Sequence, residues 1–390
     1  MRNVFVRGCI PSLLLMLATA SLALGAERVV GLTAADGAKL KATYYAAGKS
    51  GPGVLLLHQC NRDRKVWDGL AQQLSAAGIN VLTLDYRGFG ESAGIPHDKA
   101  TPQELNEEVE KWPRDIDVAY QYLVSQPGVA RDAIGVGGAS CGVNNSLQTA
   151  IRHPEVRSLV LLSGSTNYDG RQFLRRDNTT PVFLAYADDD PLKPTVLQVQ
   201  WLYDVIADPD KKLVSYTKGG HGADIFRVHP ELMAAITDWY VTTLIKTPGK
   251  APAANPSVAL LPEVQVLNTI DEGGAAKLQT QLEHARQHDP KATMFDEASV
   301  NFMGYEHLQA GDVKGAIEIL KLNAYAYPNS PNVYDSLGDA YLASGEGDLA
   351  RQNSRKALAL LPSDTTDNQQ RKAGIKANAE AKLGQLDDAP

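Results

Sequence analysis

A serine stands at the centre of the five-residue pattern Gly138-Ala139-Ser140-Cys141-Gly142, directly after the apolar run 133–136. A serine at a sharp turn between a strand and a helix has strained backbone, and glycines two positions before and after it keep crowding atoms away. Such a turn presents the hydroxyl at the carboxyl edge of a sheet, where a base can reach it. The pattern therefore predicts that Ser140 is a nucleophile.

The neighbouring thiol is the other candidate nucleophile. If Cys141 were the nucleophile, the positions two residues away would be Ala139 and Val143, and neither is glycine. The register of the pattern therefore places Ser140 at the turn and Cys141 one position after it.

Around this turn, over residues 28–246, the chain resembles the α/β-hydrolase superfamily, and within it the dienelactone-hydrolase-like serine esterases. Besides the serine turn, the resemblance is carried by a strand before an oxyanion loop, an Asp-x-Arg-Gly-x-Gly-x-Ser turn, a strand before an acid, the acid loop and a histidine loop. In chain order, these segments are Val54–His58, Asp85–Ser92, Pro181–Tyr186, Asp190–Pro194 and Gly219–Gly222. The order serine, aspartate, histidine is the one this superfamily uses.

The resemblance implies a role for each of three residues. Ser140 would attack an acyl carbonyl, and His221 would take its proton as general base and later protonate the leaving group. Asp190 would fix the tautomer of the imidazole and stabilise the imidazolium.

Asp188 and Asp189 are alternatives for the acid. We favour Asp190 because it begins the family's Asp-x-x-x-Pro pattern, which ends here at Pro194. We interpret the other two aspartates as solvated loop carboxylates.

The resemblance also implies an oxyanion hole made of two backbone N–H groups. One belongs to Cys141, the residue after the serine. The other comes from the loop 58–61, with Cys60 as the expected donor and Gln59 as the alternative. The alternative stays open because the family usually has glycine where Gln59 stands.

The two expected donors, Cys60 and Cys141, are two of the three cysteines of the chain. Two N–H groups that reach one oxyanion lie close together, so their Cα atoms would fall in the roughly 4.4–6.8 Å range of a disulfide. An exported protein meets oxidising conditions. One expectation is a Cys60–Cys141 disulfide that braces the oxyanion hole, and the other is two buried free thiols.

Three residues beside the predicted oxyanion hole are candidates for substrate binding: Arg62, Arg64 and Trp67. Either arginine would hold a substrate carboxylate through a bidentate hydrogen bond. The alternative is that both arginines lie at the surface and pair with Asp63 or Asp68.

The first 26 residues have the pattern of a secretory signal peptide. Arg2 and Arg7 form a positive start, an apolar stretch runs to Leu24, and the small residues 23–26 offer a cleavage site. The apolar run is shorter than the roughly 20 residues of a membrane-spanning helix. We therefore expect a mature chain with no membrane span, periplasmic or secreted, from which Cys9 has been removed.

Composition and charge argue against several classes of partner and cofactor. The net charge of −7 and the lack of a basic stripe argue against nucleic acid as a partner. Among the eight histidines, His284 and His288 would share a helix face at a spacing that permits metal binding. They stand among charged and polar residues, so we interpret this face as solvated, and we expect neither a metal nor an organic cofactor.

Residues 27–246 alternate strands and helices, which predicts an α/β fold with a mostly parallel central sheet. The expected strands are two antiparallel edge strands in 28–45, then 53–57, 79–85, 133–137, 158–163, 181–187 and 212–216. The expected helices are 65–77, 102–125, 143–152, 195–207 and 229–246. The short connection between Ser163 and Pro181, where relatives insert a cap, predicts an open site with little lid.

The character of the chain changes after residue 246. We expect a linker with short helices over 247–296, because 248–256 is rich in proline, glycine and alanine. Residues 297–330 and 331–364 then align as two 34-residue repeats. The matching pairs are Gly304 with Gly338, Gly311 with Gly345, Ala316 with Ala350, and Pro328 with Pro362.

These repeats resemble tetratricopeptide repeats, and with a capping helix over 368–383 they form a small all-α domain at 297–383. Such repeats bind a protein or peptide partner, self-associate or pack on a neighbour. Fewer than three repeats are marginal alone, so we expect them to dock on 257–290 or on the hydrolase domain.

Two function classes follow. The first is a serine hydrolase that cleaves an ester bond of a small or medium acyl substrate, with a peptidase or thioesterase as variants of the same machinery. The second is a non-catalytic binding or scaffold protein that acts through its repeats.

Overall fold

The computed structural model describes residues 27–192, 194–252 and 258–387. Residues 1–26, which include Cys9 and for which a signal peptide is predicted, lie outside the described residues, so this prediction is not addressed by the structure. Within the described ranges, no helix combines the length and the apolar character that a bilayer span requires.

Eight strands form a single sheet. They are β1 (Glu27–Thr33), β2 (Lys39–Tyr45), β3 (Gly51–Leu57), β4 (Asn80–Leu84), β5 (Val129–Ala139), β6 (Val156–Leu162), β7 (Val182–Ala187) and β8 (Lys211–Tyr216). Their order across the sheet is β1-β2-β4-β3-β5-β6-β7-β8. β1 and β2 are antiparallel to each other, β2 is antiparallel to β4, and all other neighbours are parallel. In the centre, Leu55 pairs with Val136, which pairs in turn with Leu159.

Helices cover both faces of this sheet. They are α1 (Asp68–Ala76), α2 (Pro102–Val109), α3 (Trp112–Ser125), α4 (Cys141–Arg152), α5 (Tyr168–Arg176), α6 (Thr195–Val205), α7 (Ile225–Val228) and α8 (Glu231–Val241). The single helix expected over 102–125 is two helices, because Pro113 in the first turn of α3 lacks the N–H that a continuous helix needs. Helix α5 occupies the connection 163–181, where the sequence indicated no helix.

The inner strands β3, β4, β6 and β7 are mostly apolar because both faces of the sheet are buried there. Alternation along β3 sends Leu55 and Leu57 to one face and Val54 and Leu56 to the other. The first face packs against α3, α4 and α6, and the second against α1 and α8. This arrangement confirms the predicted α/β-hydrolase fold class with a mostly parallel sheet followed by a helical region.

In the described residues from 258 to 387, seven α-helices follow the sheet domain. They are α9 (Pro262–Asp271), α10 (Ala275–His288), α11 (Glu297–Gln309), α12 (Val313–Ala326), α13 (Pro331–Ala343), α14 (Gly347–Leu360) and α15 (Gln369–Asp387). The pairs α11–α12 and α13–α14 coincide with the two segments that align in sequence. The pair α9–α10, of 10 and 14 residues, lies in the segment expected as a linker with short helices.

The aligned glycines have physical roles within these helix pairs. At Gly304, a Cβ atom would lie 2.6 Å from the side chain of Leu320, so the glycine allows α11 to approach α12 closely. Gly311 and Gly345 follow α11 and α13 with φ of 82° and 80°, a helix-ending conformation that favours glycine. The repeat in sequence therefore reflects a repeated helix-turn-helix geometry.

The helical region shares a hydrophobic core with the first face of the sheet domain. Val264 and Leu267 of α9 belong to the same buried cluster as Val199 and Leu202 of α6. The two parts of the chain are therefore joined by continuous apolar packing.

Candidate active site

Ser140 lies at the sharp turn between β5 and α4. Its φ of 54° and ψ of −119° are strained for a residue with a Cβ atom, and such strain concentrates at functional sites. Its backbone N–H donates a 2.8 Å hydrogen bond to the carbonyl oxygen of Leu162, which extends the sheet past the end of the strand. The strained residue is thus held by the sheet.

The glycines on either side of this turn are required by close backbone approach. A Cβ atom at Gly138 would overlap the carbonyl oxygen of Gly142, and one at Gly142 would overlap the carbonyl oxygen of Leu57. Larger residues at either position would push the turn away from the sheet.

His221 and Asp190 come together from the loops after β8 and β7. The Nδ1 atom of His221 lies 2.7 Å from Oδ2 of Asp190, and both side chains are buried. The other carboxylate oxygen of Asp190 accepts the backbone N–H of Leu192 at 2.9 Å. His221 lines the same cleft as Ser140, a cavity of about 580 Å³. The structure therefore brings together the three residues that the sequence singles out for nucleophile, base and acid.

Asp189 is exposed, as the sequence interpretation expected, and it also has defined hydrogen-bond partners. It accepts hydrogen bonds from the backbone N–H groups of Gly219 and Gly220, at 2.8 and 2.9 Å. These glycines immediately precede His221, so Asp189 ties the histidine loop to the acid loop. Asp188 is exposed.

Gln59 also holds the histidine loop. Its Oε1 accepts the backbone N–H of Ala223 at 2.7 Å, and its Nε2 donates to the carbonyl oxygen of His221 at 3.2 Å. The sequence indicated this residue only as an alternative backbone donor. The only signal in the sequence for its role is an amide side chain at a position where the family usually has glycine.

Cys60 and Cys141 form a disulfide in the structure, with their Cα atoms 5.9 Å apart. Cys141 lines the cleft of Ser140, whereas Cys60 lines a neighbouring cleft of about 590 Å³. The bond therefore joins the loop after β3 to the first residue of α4, the two segments from which oxyanion donors are expected.

His58 supports the first of these segments as a neutral side chain. Its Nε2 accepts the backbone N–H of Tyr86 at 3.1 Å, so Nδ1 carries the proton that is donated to the carbonyl oxygen of Gln59 at 2.8 Å. Burial lowers the pKa of His58, which keeps the imidazole uncharged. We assign this histidine a structural role.

The predictions for Arg64 and Trp67 as substrate-binding residues are wrong. Arg64 is buried and pairs with Asp85 and, at 2.9 Å, with Glu91. Trp67 is fully buried and packs against Phe226. The turn 64–67 directs both side chains into the protein, because the carboxylate of Asp85 and an apolar core lie beneath it.

Arg62 is partly exposed and lines the neighbouring cleft, as a bidentate partner of Asp224. The Nη2 atom lies 3.0 and 2.8 Å from the two carboxylate oxygens. Its partner is thus Asp224, whereas the surface interpretation proposed Asp63 or Asp68. The guanidinium is already occupied by a carboxylate of the protein.

The lining of the Ser140 cleft comes from five places in the sequence. The loops after β6 and β7 provide two of them, and the serine turn and His221 provide the floor. The remaining wall is Phe302 and Glu306 of α11. The expectation of an open site with little lid is therefore incomplete, since the helical region borders the cleft through these two residues.

Within the described ranges, no group of three or more His, Cys, Asp or Glu side chains has the geometry to hold a metal ion. The site offers a serine hydroxyl in one cleft with an imidazole that is paired with a buried carboxylate.

Comparison with known proteins agrees with this geometry over part of the chain. Residues 50–177 match the family described as serine aminopeptidase, S33. The thiohydrolase aneE of Aspergillus aculeatus is 30% identical over 128 residues, which are 32% of this chain and 37% of that protein. An uncharacterized protein of Mycobacterium tuberculosis is 31% identical over 151 residues, 38% of this chain and 50% of that protein. The chain thus spans between about a third and half the length of these relatives.

Solved structures resemble this chain at lower sequence identity. The esterase Pf2001 of Pyrococcus furiosus is 20% identical with a TM-score of 0.44, over 57% of this chain and 94% of that one. A dienelactone hydrolase of Anabaena variabilis is 18% identical with a TM-score of 0.44, over 57% of this chain and 99% of that one. Likeness at this level carries no information on activity or substrate.

Proposed function

We propose that this chain is a serine hydrolase that cleaves an ester bond of a small or medium substrate through Ser140, His221 and Asp190. The observation that carries the proposal is the strained Ser140 in one cleft with His221, whose Nδ1 lies 2.7 Å from the buried carboxylate of Asp190. Both hydrolytic names among the relatives, serine aminopeptidase and thiohydrolase, denote acyl transfer.

The reaction would proceed through two acyl transfers. His221 accepts the proton of the Ser140 hydroxyl as its oxygen attacks the acyl carbon, which places negative charge on the carbonyl oxygen. The backbone N–H groups of Cys141 and Cys60 stabilise that charge, and each such donor is typically worth about a hundred- to a thousandfold in turnover. His221 then protonates the leaving alcohol, and water repeats the sequence on the acyl-enzyme to release the acid.

Asp190 contributes without changing its own protonation. Its carboxylate accepts a hydrogen bond from the Nδ1–H group of His221, which leaves Nε2 as the basic nitrogen. The carboxylate also stabilises the imidazolium formed during attack. The disulfide between Cys60 and Cys141 holds the two donor segments at a fixed separation. Pre-organised donors cost no reorganisation at the moment of reaction.

The export of the chain and the nature of its helical region are further parts of the proposal. A disulfide beside the site fits a periplasmic or secreted protein, since such bonds persist in oxidising compartments. Helix pairs that recur at 34 residues support tetratricopeptide-like repeats with a protein or peptide partner. A scaffold role would replace catalysis if Ser140 proved unreactive.

Intact mass before and after treatment with a fluorophosphonate, without reductant, tests the proposal. We expect one adduct that maps to Ser140, no adduct on the Ser140→Ala protein, and an adduct on a Ser165→Ala control, whose substituted serine lines the same cleft. Turnover of matched ester, thioester and aminoacyl-anilide substrates then ranks the leaving groups. No adduct on the wild-type chain, before and after reduction, would favour the scaffold role.

A further inference from the structure

Phe302 is a large apolar side chain left open to solvent beside the candidate active site. It is 59% exposed, and in the described ranges no other large hydrophobic side chain is more exposed. Leu192, in the loop that follows Asp190, is 53% exposed, and both residues line the cleft of Ser140 and His221. Exposed apolar side chains that converge on one cleft indicate a binding surface.

The orientation of Phe302 follows from the two faces of α11. Val300 and Met303 point into the shared hydrophobic core. Phe302 and Glu306, one helical turn apart, lie on a different face and both border the cleft. The helix therefore buries one face against the protein and presents an aromatic ring to the cavity.

A buried ion cluster fixes this helix against the sheet domain. The Nη1 atom of Arg171 on α5 lies 2.8 Å from Oε2 of Glu306, and its Nη2 atom lies 2.7 Å from Oδ1 of Asp271 on α9. His307 contacts the same Asp271 oxygen at 3.1 Å. Because Arg171 is almost fully buried, these contacts hold α5, α9 and α11 together in one arrangement.

The charges of this wall are already compensated. Glu306 faces the guanidinium of Arg171, and the described residues that line the cleft include neither lysine nor arginine. An aryl or alkyl group of a substrate would contact the apolar side chains of Phe302 and Leu192 in this cleft. A cavity of about 580 Å³ is of a size suited to a small molecule.

We infer that Phe302 and Leu192 form an apolar subsite for an uncharged aryl or alkyl group of the ester substrate, so that the helical region is part of the substrate-binding site. The inference rests on the proposed function, because the occupant is the molecule whose acyl carbon Ser140 attacks. The subsite is continuous with the cleft of Ser140, which is why its occupant is the substrate itself.

Two substrate series test the subsite, one with a growing acyl group (phenyl acetate to phenyl octanoate) and one with a growing alcohol (methyl acetate to benzyl acetate). In the Phe302→Ala protein, we expect kcat/KM for the bulky member of at least one series to fall by about tenfold or more, with the small member little changed. Phe302→Leu, which keeps apolar area, should restore most of the loss. Val29→Ala, which truncates a 56% exposed side chain on the edge strand β1, should change neither series.

The results separate this inference from the proposed function. If wild-type and Phe302→Ala proteins show the same bulky-to-small ratios in both series, the subsite is overturned while the hydrolase stands. If the wild-type chain hydrolyses no ester, calorimetric titration of the Ser140→Ala protein with phenyl octanoate still tests the subsite. Binding about tenfold weaker in Ser140→Ala/Phe302→Ala supports it, and equal or absent binding overturns it.

Discussion

Asp189 accepts a 2.8 Å hydrogen bond from the backbone N–H of Gly219, although thirty positions separate the two residues. Gly219 lies two residues before His221, and Asp189 directly precedes Asp190. The acid loop therefore contacts the histidine loop twice. Asp190 contacts the side chain of His221, and Asp189 contacts the backbone of Gly219 and Gly220. The second contact, together with those of Gln59, holds the backbone that carries the imidazole.

Removal of this contact should impair catalysis while leaving the Asp190–His221 pair in place. We expect Asp189→Ala to lower kcat by about 10- to 100-fold, since small displacements of a catalytic group cost that much. Asp189→Asn keeps an acceptor oxygen and should retain most activity. Asp188→Ala removes the exposed neighbouring carboxylate and serves as the control. Equal kcat values for the two alanine variants would show that the loop does not need Asp189.

Substitution of the acid itself should have a larger effect. In Asp190→Asn, the amide no longer selects the tautomer with a basic Nε2, so kcat should fall by about 10³- to 10⁴-fold with little change in KM. The rate of fluorophosphonate labelling at Ser140 should fall in parallel. A variant with near-normal labelling would remove Asp190 from the mechanism.

The disulfide should contribute to stability through the unfolded chain. Cys60 and Cys141 are 81 positions apart. A crosslink that closes a loop of this length is worth about 2–4 kcal/mol in the free energy of unfolding. Urea unfolding of the wild-type protein should shift to lower concentration when reductant is added. The Cys60→Ser/Cys141→Ser protein should not respond to reductant, and a wild-type midpoint that also does not respond would contradict this prediction.

The ion cluster at the junction with the helical region should be sensitive to loss of its cation. Arg171→Ala leaves the buried carboxylate of Glu306 without its ion-pair partner and removes one of the two arginines that contact the buried Asp271, so we expect destabilisation of about 3–5 kcal/mol. Arg351→Ala breaks pairs with the exposed Asp348 and Asp387 and should cost at most about 1 kcal/mol. Urea unfolding measures both, and equal losses would show that the buried cluster contributes no more than a surface pair.

Asp271 should make stability depend on pH in the acid range. Burial raises the pKa of Asp271, but the hydrogen bond from His307 and the charge of Arg171 together outweigh it and leave the pKa below its ordinary value. A carboxyl group whose pKa is lowered by folding stabilises the protein above its unfolded pKa of about 3.9, and this contribution is lost as pH falls toward the folded value. Burial of Glu306 raises its pKa, which acts in the opposite sense.

Urea unfolding of wild-type and Asp271→Asn proteins between about pH 6 and pH 3 measures this contribution. The difference in the free energy of unfolding between the two proteins should shrink as pH falls. A difference that stays constant over this range would mean that Asp271 does not titrate differently in the folded and unfolded chains.

Local patterns were sufficient to predict the fold class and the turn at Ser140. The inner strands β3, β4, β6 and β7 are mostly apolar runs, and the glycines at 138 and 142 stand where backbone atoms come into contact. The direction of a side chain at a turn was not predictable in this way. Arg64 and Trp67 lie beside the oxyanion loop in sequence, yet their side chains turn inward toward Asp85 and the core.

Contacts over long sequence separations account for the rest. Nothing near Phe302 in sequence indicates that α11 borders the cleft of Ser140, because that position depends on the docking of the helical region on α5 and α6. The role of Gln59 likewise depends on Ala223, 164 positions away. Functional residues that belong to a local sequence pattern were predictable, whereas those whose role depends only on tertiary packing were not.

The residues proposed for the chemistry and the residue of α11 proposed for substrate binding are encoded in different parts of the gene. The strained serine turn and the loops that carry Asp190 and His221 are encoded before residue 247, whereas Phe302 is encoded in a repeat that follows. If Phe302 binds the substrate as proposed, mutation or recombination within the repeat can change substrate selectivity without changing Ser140, Asp190 or His221. Under the proposed function, selectivity could therefore change during evolution while the residues proposed for the chemistry stay the same.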